Sequence, residues 1–89
     1  MHVLLLFPPF PALCNVQKVK DKKFLKELGN RVRQIRLQQG LSQLDLGIAI
    51  DNYAEQIGRI ERGELNVSIC TLKLIAKGLQ IPLHELLKF

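Results

Sequence analysis

Charged side chains on one face of a predicted short helix are the groups in this sequence best suited to specific hydrogen bonding. Glu55, Arg59 and Arg62 follow the spacing i, i+4, i+7, so a helix brings them together on one polar face. The guanidinium of Arg59 matches the O6 and N7 acceptors of guanine, and the carboxylate of Glu55 can accept from the amino group of cytosine. The alternative is a solvated ion pair between Glu55 and Arg59, which contributes roughly a few tenths of a kcal/mol.

The residue types that carry most catalytic and metal chemistry are sparse. The two histidines are His2, near the start of the chain, and His84, on a predicted short helix. No nucleophile, base and orienting group form a recognisable set, so an enzyme is not expected. Cys14 and Cys70 lie far apart and form no cluster with zinc-site spacing. We therefore expect no metal, no cofactor and two free thiols, with Cys70 packed at the edge of the core.

The composition indicates one small globular domain with a basic surface. The chain has 89 residues, of which 47% are hydrophobic and 24% charged, a balance typical of a folded protein. Thirteen Lys and Arg stand against eight Asp and Glu, which gives a formal net charge of +5. A positive field speeds encounter with polyanions, and binding releases their counterions. The charge favours a polyanionic partner without being specific for nucleic acid.

Residues 1–21 are predicted to be a poorly ordered leader or arm ahead of a folded domain at 22–89. The apolar run is interrupted at Pro8, Pro9 and Pro11, far short of the roughly 20 residues that a membrane-spanning helix needs. A secretory signal would place basic residues before the apolar stretch, whereas here they follow it. Three interpretations stay open: an ill-ordered tail, an arm that docks on a neighbouring subunit, and a start codon assigned too far upstream. No membrane association is expected.

The first two helices are predicted from apolar spacing and end signals. Apolar residues three and four apart predict a helix over 22–39, and Gly40 supplies its stop. The apolar stripe of this helix consists of Leu25, Leu28, Val32 and Ile35. The second helix begins after Ser42 and ends at Ala49 or Ile50. Ser42 can cap it, and Asp45 three residues later completes a capping box.

Three further helices are predicted after a break at Asp51 and Asn52, residue types that prefer turns to helix interiors. The third covers 53–62. The fourth is capped by Ser68, and the short fifth covers 82–87, with its proline at the first helical position. The inward stripe of the fourth helix is predicted to be Ile69, Leu72, Ile75, Ala76 and Leu79. No segment alternates with period two, so the expected fold class is all-α, a compact bundle of four to five short helices.

The second and third predicted helices flank a short turn, which by spacing alone fits a helix-turn-helix and a generic αα-corner equally well. Their sequence, GLSQLDLGIAIDNYAEQIGRIERG, resembles the DNA-binding motif of the phage repressor and Cro-type family, called the XRE family. The segments LSQ, DL and IERGE fall where that family has its signature residues, and LKLIAKGLQIPLHELL follows where it has a leucine-rich helix. The resemblance implies a lambda-repressor-like fold and sequence-specific binding of double-stranded DNA by a transcriptional regulator.

The resemblance also implies roles for individual residues, with the recognition helix at about 53–62 in the major groove. The residues that approach base edges are expected to be Ala54, Glu55, Gln56 and Arg59. Those expected to contact phosphates are Ser42, Gln43, Asn52, Tyr53 and Arg62. Ser42 acts mainly as a helix cap. Arg36 and Glu61 are expected to form a partly buried ion pair with a structural role.

Two residues depart from the family's pattern, and a third is unusual inside a helix. Gly47 stands where alanine is usual and would still allow the second and third helices to approach closely. Asp51 stands in the turn where glycine is usual, so it must adopt a conformation that glycine takes more easily. Gly58 weakens its helix by about 1 kcal/mol relative to alanine and would let the backbone approach the groove.

The C-terminal segment IPLHELLKF carries more apolar groups than so short a helix can bury. These groups are Ile81, Leu83, Leu87 and Phe89, which we expect to form the interface of a homodimer. A symmetric dimer would present two recognition helices to half-sites about one helical turn apart. The alternative is that these side chains simply close the core of the monomer.

The expected function is that of a cytoplasmic, nucleoid-associated bacterial or phage regulator without a small-molecule effector. The segment IERGELNVS has some likeness to the short restriction-modification controller proteins of the family. The rival hypothesis is a protein-interaction module, such as an antitoxin-like or accessory subunit, that keeps the helix-turn-helix scaffold but works through partner contacts. Salt-sensitive duplex binding separates the two, because counterion release makes DNA affinity fall with rising salt.

Overall fold

The computed structural model describes residues 20–51 and 54–89, and this part of the chain forms five α-helices without a strand. The helices are α1 (Lys22–Gln38), α2 (Gln43–Ala49), α3 (Ala54–Glu61), α4 (Ile69–Gly78) and α5 (Leu83–Leu86). The all-α bundle predicted from the sequence is confirmed. The predicted leader lies outside the described residues except for its last two. The residues named above that lie outside them are His2, Pro8, Pro9, Pro11, Cys14, Asn52 and Tyr53.

Side-chain caps define the starts of α1, α2 and α4. The Oδ1 of Asp21 accepts a hydrogen bond from the backbone N–H of Phe24 at 3.0 Å. At α2 the Oγ of Ser42 accepts from the N–H of Asp45, and Asp45 Oδ2 accepts from the N–H of Ser42, both at 2.9 Å. Ser68 caps α4 through its side chain. These bonds satisfy N–H groups that a helix start leaves unpaired, and the predicted caps at Ser42 and Ser68 are confirmed.

The start of α5 differs from the prediction. Pro82 is the N-cap of this helix and not its first helical residue, because its ψ of 152° is extended. Its carbonyl oxygen accepts from the N–H of Glu85 at 3.0 Å, in keeping with an N-cap residue, whose carbonyl accepts the first hydrogen bond of the helix. Two residues before this proline, Gln80 has a φ of 58° and turns the chain after α4.

The hydrophobic core brings together side chains from all five helices. Its members are Leu28, Val32, Ile35, Leu46, Ile50, Ile57, Ile60, Leu72, Ile75, Ala76, Leu79 and Leu86. The stripe predicted for the first helix is buried, including Leu25, and so are Ile57 and Ile60 of α3. The apolar faces of α1 and α3 therefore pack in the core, and the opposite face of α3 remains on the surface.

The first turn of α4 contradicts two predictions. Ile69 was expected in the inward stripe, but its side chain is 61% exposed. Cys70 was expected at the edge of the core, and it is also exposed. Ser68 is exposed with them, because this turn extends beyond the part of α4 that packs on the core from Leu72 onward.

Gly29 allows α1 and α3 to pack backbone against backbone. A Cβ atom at this position would collide with the carbonyl oxygens of Ile60 and Glu61. Because glycine has no Cβ, the end of α3 can rest directly on α1. This contact fixes the position of the end of α3 relative to α1.

The turn between α2 and α3 contains a residue in the left-handed region. Asp51 has a φ of 55°, as the departure from glycine predicted. Aspartate tolerates this conformation better than most residues, because its short polar side chain can hydrogen-bond locally. Leu46 and Ile50 before the turn and Ile57 after it are all buried in one core, so α2 and α3 form a helix-turn-helix unit.

Candidate nucleic-acid interface

The outer face of α3 is polar and exposed. Glu55 is exposed at the start of the helix. The side chain of Arg59 is 42% exposed and that of Arg62, just past the helix end, is 58% exposed. Ile57 and Ile60 point inward, so the spacing argument placed these charged groups correctly on the surface.

Glu64 is a member of this surface that sequence reasoning missed. It accepts from Arg62 through two hydrogen bonds, Nε to Oε2 at 2.8 Å and Nη2 to Oε1 at 3.3 Å. The Nε of Arg59 lies 3.8 Å from its Oε1, so Arg59 pairs with Glu64 and not with Glu55 as the alternative supposed. The helical spacing gives no signal for Glu64, because Gly63, with a φ of 75°, ends the helix before it.

The hydrogen bonds between Arg62 and Glu64 shift the pKa of both side chains. The hydrogen bond from Arg62 holds the pKa of Glu64 below its usual value, and the charges of Arg62, Arg59 and Lys20 add to this effect. The same hydrogen bond raises the pKa of Arg62. Glu64 is therefore an ionised carboxylate at neutral pH, located beside the cationic face of α3.

The remaining predicted base-reading residues lie at the start of α3. Ala54 and Gln56 are half-buried. Gln56 lines a shallow cleft with Leu65 and Asn66, on the side of α3 that faces the loop leading to α4.

Arg36 and Glu61 form the expected ion pair, and it is more deeply buried than predicted. The Nε and Nη2 of Arg36 donate to Oε2 and Oε1 of Glu61 at 2.6 and 2.9 Å. The Nη1 of Arg36 donates to the carbonyl oxygen of Leu41 at 2.8 Å. Both side chains are buried, and the hydrogen bond to Glu61 raises the pKa of Arg36. The pair joins α1 to the end of α3.

Gln43 belongs to the same buried network, which sequence reasoning did not foresee. Its Nε2 donates to Oε1 of Glu61 at 3.1 Å, so the first residue of α2 is tied to the last residue of α3. Gly58 is buried beside it, and a Cβ there would lie 3.2 Å from Gln43 Oε1 and 3.1 Å from Arg62 Nη1. The position faces these two side chains, and the approach of its backbone to a groove stays a prediction.

The C-terminal apolar residues divide into two groups. Ile81 and Leu83 are half-buried and pack against the core. Leu87 and Phe89 remain 36% and 50% exposed. The ring of Phe89 lies against that of Phe24, with centroids 5.5 Å apart. Leu86, which sequence reasoning passed over, is the fully buried residue of this segment.

Within residues 20–51 and 54–89, no three His, Cys, Asp or Glu side chains are grouped to hold a metal. His84 is exposed, with its Nε2 3.9 Å from Oε1 of Glu85. Cys70 is a free thiol. In the same described ranges, no helix combines the length and the apolar character needed to cross a membrane.

The helix-turn-helix family model matches residues 32–86, a span that contains α2, α3, α4 and α5. The chain belongs to the XRE-type helix-turn-helix family. This helix-turn-helix protein is therefore a DNA-binding transcription regulator, as the residues of its motif predicted. A relative, the control protein C.BamHI of Bacillus amyloliquefaciens, is 40% identical over 62 residues, which cover 68% of this chain and 76% of that protein.

Solved structures of restriction-modification controller proteins share the fold. C.AhdI of Aeromonas hydrophila is 35% identical, with a TM-score of 0.68 over 70% of this chain and 94% of that chain. The C.Esp1396I tetramer, crystallised with its natural 35-base-pair operator, is 30% identical, with a TM-score of 0.67 over 76% of this chain and 100% of that chain. The helix-turn-helix protein is similar to these controllers over most of its described length.

Proposed function

We propose that this helix-turn-helix protein is a restriction-modification controller that binds operator DNA as a symmetric homodimer, with α3 in the major groove. The observation that carries the proposal is the presentation of α3, which is anchored by Ile57 and Ile60 while Arg59 and Arg62 face outward. Its likeness to C.BamHI and to C.Esp1396I, which was crystallised on its operator, supports the controller assignment. The protein acts by binding, in the bacterial cytoplasm, as a regulator of bacterial or phage origin.

Base recognition is assigned to the outer face of α3. Arg59 is the principal reader, because its guanidinium can bond both acceptors of a guanine. Glu55 accepts from a cytosine amino group, and it contributes only where a cytosine is present, since a carboxylate near phosphates is otherwise repelled. Ala54 and Gln56 complete the set at the start of the helix.

Phosphate contacts are assigned to the flanks of α3. Arg62 reaches one backbone phosphate, and Gln43 reaches another at the start of α2, where its tether to Glu61 fixes the side chain. Ser42 lies beside it as the helix cap. Asn52 and Tyr53 keep this role as a prediction from the sequence. Such contacts position the protein on the duplex without reading its sequence.

Dimerisation is assigned to the C-terminal segment. Leu87 and Phe89 are exposed, while Ile81 and Leu83 pack on the core and keep one edge at the surface. A symmetric contact through this segment would bury the exposed side chains. Two copies of α3 would then meet half-sites about one helical turn apart.

The experiment compares Arg59→Ala and Arg62→Ala on a duplex selected from a random library and on the unselected library, by fluorescence anisotropy at several salt concentrations. Arg59→Ala should reduce the preference for the selected duplex by about 1–3 kcal/mol at one base pair. Arg62→Ala should weaken both duplexes alike and reduce the slope of log affinity against log salt by about one. Lys73→Ala removes the same charge from the exposed face of α4 and is the control.

Wild-type protein that shows no salt-sensitive binding to any duplex would contradict the proposal. That outcome would favour the protein-interaction module, in which the helix-turn-helix scaffold serves partner contacts alone. If the Arg59 and Arg62 variants bind DNA as Lys73→Ala does, the protein binds DNA through a surface other than α3.

A further inference from the structure

We propose that Glu64 is an internal competitor of DNA: its carboxylate occupies Arg62 in the free protein, and a backbone phosphate must displace it. Glu64 thereby lowers the affinity for every duplex by a similar factor. The inference rests on the proposed phosphate contact of Arg62.

The geometry of the pair makes the competition direct. Arg62 presents the donors Nε and Nη2 to the two carboxylate oxygens of Glu64, at 2.8 and 3.3 Å. This two-pronged arrangement is the one that a guanidinium uses to bind a phosphate. The same edge of Arg62 cannot serve a phosphate and Glu64 at once.

The backbone holds Glu64 in place for this role. Its N–H donates to the carbonyl oxygen of Arg59 at 2.9 Å, and its own carbonyl oxygen accepts from Lys20 Nζ at 3.3 Å. The carboxylate also lies 3.8 Å from the Nε of Arg59. It is therefore a fixed anion beside both exposed arginines, and its hydrogen bonds go to Arg62.

The cost of breaking the pair is modest because both partners are exposed. Exposed ion pairs contribute little to folding, so replacing Glu64 should leave the protein folded. In binding, the pair must be broken or bent away each time Arg62 takes a phosphate. From the usual strength of exposed pairs, the competition should lower DNA affinity by about two- to fivefold.

The test compares Glu64→Gln with wild type on a fluorescent duplex of random sequence, by anisotropy across a salt series. Glu27→Gln, an exposed change of the same charge on α1 beside Lys88 and Phe89, is the control. Glu64→Gln should bind about two- to fivefold more tightly than Glu27→Gln. Its log affinity should also fall more steeply with log salt, by up to about one in slope, because Arg62 then neutralises a phosphate fully.

A double-mutant cycle identifies Arg62 as the group for which Glu64 competes. In an Arg62→Gln background, the additional gain from Glu64→Gln should vanish, leaving only the effect that Glu27→Gln has in that background. A gain that persists there, or equal gains for the two glutamate variants, would overturn the inference. So would weaker binding by Glu64→Gln, which would mean that the carboxylate prepares Arg62 for DNA.

The two proposals fail in distinguishable ways. Salt-sensitive binding by wild type without a specific gain in Glu64→Gln overturns the competition and leaves the DNA-binding proposal intact. If neither wild type nor Glu64→Gln shows salt-sensitive binding, the proposed function fails, and the competition fails with it.

Discussion

The carboxylate of Glu61 ties three helices together at the scale of a single residue. It accepts two hydrogen bonds from Arg36 of α1 and one from Gln43 of α2, while Glu61 itself ends α3. A buried ion pair adds little net stability over apolar side chains, because desolvation offsets the attraction. Removing one partner is costly, since the other charge stays buried without compensation.

Glu61→Gln should therefore lower the free energy of unfolding by about 3–5 kcal/mol, because it leaves the guanidinium of Arg36 buried without an opposite charge. Urea unfolding followed by circular dichroism measures the loss. Glu64→Gln breaks an exposed pair and is the control, with an expected loss below about 1 kcal/mol. Similar losses in the two variants would mean that the buried pair has no special structural role.

Asp45 gives the capping box of α2 a pH dependence. The pKa of Asp45 is lowered chiefly by the backbone N–H of Ser42, and then by the side chain of Ser42. Because the folded pKa lies below the unfolded one, the stabilisation is complete above the unfolded pKa of an aspartate and is lost as the pH falls through the folded pKa. Asp45→Asn should show a smaller decrease of Tm than wild type across this acid range.

Thermal melts of both proteins between neutral pH and the acid range measure this difference. Glu27→Gln is the control, because it removes a carboxylate inside α1 that caps no helix. Its Tm should change with pH as that of wild type does. Parallel curves for Asp45→Asn and wild type would show that the capping box does not couple to pH.

At the scale of secondary-structure elements, the free energy of unfolding depends on the contact between α1 and α3. Gly29→Ala would press a Cβ onto the carbonyl oxygens of Ile60 and Glu61, which are backbone atoms and cannot swing away. We expect a loss of about 1–3 kcal/mol in the free energy of unfolding, the usual cost of overpacking, or more. Denaturant unfolding measures it.

Gly58→Ala is the matched control for that change. The added Cβ would meet only side-chain atoms and no backbone, the Nη1 of Arg62 at 3.1 Å and the Oε1 of Gln43 at 3.2 Å. The gain of alanine over glycine in a helix, about 1 kcal/mol, offsets the small adjustment, so stability should be unchanged or raised. A larger loss for Gly58→Ala than for Gly29→Ala would show that the α2–α3 contact is the tighter one.

At the scale of the whole molecule, the exposed end of the chain should determine assembly. The double variant Leu87→Gln, Phe89→Gln removes exposed apolar groups and leaves the buried Leu86 in place. We expect its mass by light scattering to fall from that of a dimer to that of a monomer, with weaker binding to a two-half-site duplex. Leu74→Gln, which alters an exposed leucine of α4, should remain dimeric. If the double variant is still a dimer, the interface lies elsewhere on the molecule.

Local rules explain what was predictable from the sequence. Apolar residues three and four apart place Val32 and Ile57 inward, and a serine three residues before a free N–H caps a helix, because both effects act within one turn. The segments LSQ and IERGE likewise identify the family from neighbouring residues. Helices, most of their inward-facing residues, the family and its DNA-binding function therefore follow from the chain alone.

Only the tertiary structure decided how these elements meet. Gln43 and Glu61 are 18 positions apart, and their hydrogen bond exists because α2 and α3 pack together. Glu64 reaches Arg62 after a glycine turn, where helical spacing no longer applies. Ile69 is exposed because α4 extends beyond the core. Each of these outcomes depends on where separate elements end in space, and periodicity along a single helix carries no information about that.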